Sequence, residues 1–214
     1  RRQRQMCIRD RLEGAGQAYH DYDLRAFENP VWMYAGARHA LELRARRTEF
    51  LGIFEPACMA LGRWWACSTA RRSCRGGYGV LPVPAELPGA LDTLDAMLDG
   101  SRSAFETFLR IPLPAKRRNI ELDWKDYDNL GYLSGHSVGE AESAMFDALV
   151  QSHAALDIPL IVLSAEQLDA PQLGELFYFL ELTAALCAAA DGLNPFDRKR
   201  TSPTRAQAAA CLQG

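Results

Sequence analysis

The sequence has little excess charge of one sign and no long apolar run. It carries 24 Lys and Arg against 27 Asp and Glu, a formal net charge of −3, which does not indicate a nucleic-acid-binding or membrane-surface protein. No apolar run approaches the roughly 18 residues that span a bilayer. The basic stretch from Arg1 to Arg11 lacks a following apolar segment, so we expect no signal peptide. We therefore expect no nucleic-acid partner and no membrane association.

The six cysteines show no Cys-x-x-Cys spacing, which is the commonest sign of a metal or redox site. Cys58, Cys67 and Cys74 match no common zinc-binding pattern. Such spacing is typical of reduced thiols in a cytoplasmic chain. We therefore expect a cytoplasmic protein with no metal site.

Short β-type runs alternate with helical segments along most of the chain. The runs are 48–54, 104–111 and 158–163, and helices are predicted to begin near Asn29-Pro30, Pro56, Leu91, Ala141 and Asp169. This alternation predicts an α/β fold with a mainly parallel sheet flanked by helices. The apolar run 158–163 favours a buried parallel strand. The segment from Pro171 to Ala190 is apolar nearly all round, which is typical of an interior helix.

Two segments differ in character from the rest of the sequence. Residues 1–20 include the aperiodic stretch Arg1 to Arg11, and we expect them to be a non-native or disordered leader. The stretch from Cys67 to Gly77 is a run rich in Cys, Ser, Arg and Gly.

Four ordered blocks carry a resemblance to the glucose-6-phosphate isomerase family. They are Glu28-Asn29-Pro30 with Tyr34 to Leu41; Glu49 to Pro56 with Trp64-Trp65; Asp99-Gly100 with Phe105-Glu106-Thr107; and Tyr132-Leu133 through Gly192-Leu193-Asn194-Pro195-Phe196-Asp197. The resemblance covers residues 21–197 and only the C-terminal half of a bacterial-type enzyme, and it leaves 198–214 as an irregular tail.

The resemblance implies a layered fold of the sugar-isomerase (SIS) type. It also implies a cytosolic homodimer that interconverts glucose 6-phosphate and fructose 6-phosphate, in glycolysis and gluconeogenesis, without a metal or organic cofactor. In the family a Glu moves the proton between the two carbons. A Lys and a His assist ring opening, and the His comes from the partner subunit. Such chemistry needs a carboxylate base and groups that exchange protons near neutral pH.

This chain departs from the family at all three catalytic positions. They fall at Arg71, at Asp92 (or Leu91 if the gap is placed differently) and at Arg205. An Arg side chain stays protonated and cannot act as a base. No His lies between His39 and His136, so no local shift restores the catalytic one. We therefore expect that none of the catalytic residues is retained.

Two functions follow as alternatives. One is an isomerase-like fragment that is inactive with these residues at the catalytic positions, and the other is a non-catalytic binding or dimerisation module. Single-base frameshifts and divergence with loss of catalysis both explain the pattern. In a genuine module, residues of the run from Cys67 to Gly77 should pack against the rest of the fold or cap a helix. After frameshifts the run should be irregular and exposed.

The remaining polar candidates are assigned structural roles. We expect a structural His39, solvated or capping roles for His136 and His153, and structural hydrogen bonds or subunit contacts for Glu175 and Glu181.

Overall fold

The computed structural model describes residues 2–26, 28–74, 76–98, 102–111, 119–121, 125–127, 129–165, 167–197 and 203–213. Its helices are α1 (Arg2–Asp21), α2 (Pro30–Leu43), α3 (Met59–Arg72), α4 (Leu91–Leu98), α5 (Val138–Ala155), α6 (Ala170–Ala190) and α7 (Pro203–Gln213). Its strands are β1 (Thr48–Ile53), β2 (Leu81–Glu86), β3 (Ala104–Arg110) and β4 (Leu160–Ser164). Short 3₁₀ turns cover Pro56–Cys58 and Gly131–Leu133.

The strands within the described residues form one sheet in the order β2-β1-β3-β4, and every pair is parallel. Helices cover both faces. One core cluster joins Leu51 and Leu109 to residues of α2, α3 and α6. The other joins Phe50 and Phe108 to residues of α4 and α5. The predicted α/β fold with a parallel sheet flanked by helices is confirmed.

The two edge strands differ from the sequence-based expectation. β2 was not predicted, because Pro82 and Pro84 lie within it and proline is unfavourable in a central strand. Both prolines are tolerated because β2 pairs on one side only, with β1. β4 forms where the apolar run predicted it, but it is an edge strand and not a buried one: Val162 remains 38% exposed.

Three helices begin at side-chain caps that the sequence encodes. The Asn29 side chain accepts from the Val31 N–H at 2.8 Å, and Pro30 opens α2, as the Asn-Pro pair predicts. Ser137 and Glu140 form a reciprocal capping box at the start of α5, and Asp169 and Gln172 form another at the start of α6. These caps fix where the chain enters each helix.

Helix α6 is the longest helix of the core, and it corrects one expectation. By length and composition it could cross a membrane, although we expected no such segment. In this fold it contacts α1, α2 and α3, and Phe179, Leu180 and Ala184 are buried. Burial against neighbouring helices is the ordinary environment of an apolar core helix.

The two terminal segments are helical in the structure. α1 packs along α6 so closely that a Cβ on Gly14 would lie 1.9 Å from the Pro171 carbonyl oxygen, and Ala18 is buried. α7 lies within the expected irregular tail, and its described side chains are exposed. The division into a leader, a domain and a tail stays a prediction.

Candidate functional site

The sheet places its topological switch point between β1 and β3. From β1 the chain crosses to β2 on one side, whereas β3 lies on the other side. In open α/β sheets, ligands bind at the carboxyl ends of the strands that flank such a point. A cleft of about 640 Å³ lies there, next to Phe54 after β1 and Arg110 at the end of β3. The N-terminal half of α5 forms its other wall.

Arg110 is the cation among the described residues that line this cleft. Its guanidinium lies 4.5 Å from the centre of the Phe146 ring, donates to Ser143 Oγ at 3.2 Å and lies 3.6 Å from an Asp147 carboxylate oxygen. The contact with the ring and the ion pair hold the side chain in place. Arg110 could therefore contact an anionic group in the cleft.

The N-terminus of α5 would be a natural anion site, but its capping box occupies it. The Glu140 carboxylate accepts from the Ser137 N–H at 2.7 Å, and the Ser137 hydroxyl accepts from the Glu140 N–H at 3.2 Å. The bond from the Ser137 backbone lowers the pKa of Glu140, so that side chain is an anion at neutral pH. With Glu55 and Glu142 also lining the cleft, the described residues do not form a basic phosphate site there.

A second cleft, of about 490 Å³, lies where β4 ends and α6 begins. In its wall the Tyr22 hydroxyl donates to Glu175 Oε1 at 2.6 Å. Burial and this bond raise the pKa of Tyr22, so the phenol stays neutral. On the same helix Glu181 accepts from the Ser68 hydroxyl at 2.7 Å and pairs with Arg72. Both glutamates make the structural hydrogen bonds that we expected.

A buried polar network crosses the core beneath the sheet face that carries α2, α3 and α6. Glu49 on β1 is fully buried and accepts at one carboxylate oxygen from the Tyr34 hydroxyl at 2.6 Å and from the Thr107 hydroxyl at 2.7 Å. Its other oxygen pairs with Arg38 at 2.8 Å. Arg38 also donates to the Val80 carbonyl. This network has no solvent access and is structural.

On the opposite face of the sheet, His153 is buried and not solvated or capping, so that expectation was wrong. Its Nδ1 lies 2.6 Å from Glu106 Oε2, and its Nε2 lies 2.8 Å from Asp95 Oδ1. Burial acts to lower the pKa of His153, but the bonds to Glu106 and Asp95 outweigh it and raise the pKa. Burial raises the pKa of Glu106. The helical pattern of α5 gives no sign of this contact, because the contact depends on β3, which is distant in the sequence.

Of the three residues expected at the family's catalytic positions, Arg71 and Asp92 lie on different helices at opposite ends of the sheet. Arg71 is exposed in the last turn of α3, which runs back from the carboxyl end of β1 towards the start of β2. Asp92 is exposed in the first turn of α4, after the carboxyl end of β2. Arg205 is exposed on α7. The pair Asp99-Gly100 and residues 198–202 lie outside the described residues.

The run from Cys67 to Gly77 is ordered in its first part and exposed in its second. α3 continues through Arg72, Thr69 and Ser73 are buried, and the Ser73 hydroxyl donates to the Thr69 carbonyl at 3.1 Å. Gly76 and Gly77 are exposed, and Arg75 lies outside the described residues. The helical part packs as expected of a genuine module.

Comparison with solved structures defines the class of fold. The chain matches a glucose-6-phosphate isomerase from Chlamydia trachomatis with a TM-score of 0.73 and 16% identity, over 97% of this chain and 43% of that one. It matches a hypothetical protein from Thermus thermophilus with a TM-score of 0.83 and 17% identity, over 96% of this chain and 50% of that one. The fold is the layered α/β fold of sugar isomerases. No family model matches the chain.

Comparison with curated sequences gives the family. The chain is 31% identical over 193 residues to the glucose-6-phosphate isomerase of Streptococcus gordonii, and 29% identical over 203 residues to that of Listeria innocua. These matches cover 89% and 94% of this chain but 43% and 45% of the two relatives, so the chain spans less than half of their length. The chain is a relative of the glucose-6-phosphate isomerases and corresponds to their C-terminal half.

Proposed function

We propose that this chain is an isomerase-like half of a glucose-6-phosphate isomerase and does not by itself catalyse the reaction. The family resemblance supports a parent reaction, the interconversion of glucose 6-phosphate and fructose 6-phosphate in glycolysis and gluconeogenesis. It also supports a sugar phosphate substrate, a homodimer in the intact family and a cytoplasmic location. No cofactor is part of the proposal.

The observation that carries the inactivity is the identity and exposure of the side chains at the three family positions. A guanidinium at position 71 cannot accept the proton that moves between the two carbons. Asp92 is exposed and carries a carboxylate where the family has an imidazole. Arg205 supplies positive charge but no group that transfers a proton in the reaction.

The cleft at the switch point supports the same proposal. Phosphate recognition generally uses several backbone N–H groups or cations. Among the described lining residues Arg110 stands among carboxylates, and the N-terminus of α5 is already capped. A sugar phosphate would therefore need groups beyond these described residues to be held firmly.

The experiment is an enzyme-coupled assay that follows glucose 6-phosphate formation from fructose 6-phosphate. The positive control is the full-length Listeria innocua relative, and the matched control is the half of that relative that aligns with this chain. We expect no turnover above background from this chain. Turnover above that of the matched half would overturn the proposal.

A second candidate, a non-catalytic binding or dimerisation module, is favoured by the packing of the run from Cys67 onward. Thr69 and Ser73 are buried, which an unselected segment would achieve only by chance. Sedimentation velocity of the purified chain over a range of concentrations tests self-association. A concentration-dependent dimer would support this candidate, whereas a monomer at all concentrations would exclude dimerisation as its role.

A further inference from the structure

A third cavity, of about 430 Å³, lies at the amino edge of the sheet, away from the cleft at the switch point. His39 and Glu42 are three residues apart on α2 and therefore share one helix face. Asp191, the residue that caps the C-terminus of α6, lies against them. One ligand atom from each side chain lies within 4.8 Å of the others.

Asp191 is the feature that needs an explanation. Its side chain is only 3% exposed, and its Oδ2 is buried without a hydrogen-bond partner among the described residues. The carboxylate also stands at a helix C-terminus, where the helix dipole disfavours negative charge. A buried carboxylate in this position, with one oxygen that has no partner among the described residues, is costly unless a cation compensates it.

We propose that His39, Glu42 and Asp191 bind a divalent transition-metal ion such as Zn²⁺. Imidazole nitrogen and carboxylate oxygen are both ligands that such ions take in proteins.

The distance between two of the three ligand atoms fits this assignment. Zn–N and Zn–O bonds of about 2.1 Å in a tetrahedron place neighbouring ligand atoms about 3.4 Å apart. The His39 Nδ1 and the Asp191 Oδ1 lie 3.3 Å apart, and no hydrogen bond to Nδ1 forms within the described residues. Two atoms that bind the same metal ion have this separation and are not joined by a linear hydrogen bond.

Glu42 is oriented from outside the ligand set. The Gly79 N–H donates to Glu42 Oε1, which holds the carboxylate in place in the way that outer hydrogen bonds position metal ligands. Arg47 lines the same cavity and donates to the Gly77 carbonyl. Its charge lowers affinity for a cation, but two carboxylates outweigh it. The cavity leaves room for water at a fourth coordination position.

The test uses the full chain, untagged and stripped with a chelator, and Zn²⁺ as the probe. Isothermal titration calorimetry should show one site, and the thermal unfolding midpoint should rise with zinc concentration because only the folded chain holds the three ligands together. Co²⁺ should give an intense visible absorption band, typical of four-coordinate cobalt.

The variants are His39→Asn and Asp191→Asn, with His136→Asn as the matched control, because His136 is an exposed histidine outside the cavity. We expect the first two to weaken zinc binding by about 100-fold or more, since outer-shell changes alone cost about 10- to 100-fold. His136→Asn should bind like the unaltered chain. Absence of binding to the unaltered chain, or equal affinity in all three variants, would overturn the proposal and leave a direct contact between His39 and Asp191.

Discussion

The buried pair Arg38–Glu49 gives the sharpest prediction about stability. In Arg38→Met the long apolar stem is replaced, but Glu49 loses its ion pair in a position with no solvent access: the side chains are 1% and 0% exposed. Removing one partner of a buried pair costs about 3–5 kcal/mol, because an uncompensated charge stays buried. Glu49 keeps the bonds from Tyr34 and Thr107, which favours the lower half of this range.

Arg38 also contributes outside the ion pair. The Val80 carbonyl loses its donor at 3.0 Å, which adds about 1 kcal/mol, and Trp65 loses the guanidinium 5.1 Å from its ring. We therefore expect Arg38→Met to lower the free energy of unfolding by about 4 kcal/mol. With a typical urea dependence of about 2 kcal/mol per molar, the urea midpoint should fall by about 2 M.

The assay is urea unfolding followed by tryptophan fluorescence, with Arg38→Met/Glu49→Gln as the second variant. The double variant removes both charges and keeps an amide oxygen to accept from Tyr34 and Thr107. It should therefore be more stable than the single variant. A loss below about 1 kcal/mol in Arg38→Met, or a double variant as unstable as the single one, would refute the reasoning.

Three further predictions concern other parts of the fold. The raised pKa of His153 contributes stability that is complete below its unfolded pKa near 6.5 and is lost as pH rises through the folded value. His153→Gln should therefore flatten the decline of unfolding free energy as pH rises above about 6.5, and an unchanged slope would contradict this. Gly14→Ala should expose α1 to proteolysis, whereas Gly16→Ala should not, because a Cβ there meets nothing within 4 Å; equal cleavage would show that α1 does not pack on α6. The thiols of Cys58 and Cys187, whose pKa values burial raises to about 11, should react with a disulfide reagent only on unfolding, and rapid native reaction would contradict their burial.

The sequence predicted the central part of the fold because its signals are local. β1, β3 and α6 follow from apolar runs, and the starts of α2 and α6 follow from caps that lie within three residues of the helix. β2 could not be predicted, since its tolerance for Pro82 and Pro84 comes from an edge position that only the tertiary structure defines. Helix α1 was not predicted, because its own sequence shows no clear periodicity and its position depends on its contacts with α6.

The polar clusters were the hardest features to predict. Glu106 and His153 belong to separate elements, and nothing in either local pattern shows that the fold brings them within 2.6 Å. The same holds for His39 and Asp191, which come from α2 and the end of α6. A charged residue on an otherwise apolar helix was the local signal that did predict a partner, at Glu175 and Glu181.

The central claim is that this chain has the fold of a sugar-isomerase half without its acid–base groups, and the coupled isomerase assay tests it most directly. The purified chain would be compared with the aligned half of the Listeria innocua relative, after circular dichroism has shown that both are folded. We predict that this chain shows no fructose 6-phosphate turnover above the buffer blank. Turnover above that of the aligned half, lost on exchange of Arg71, Asp92 or Arg205 for alanine, would contradict the account.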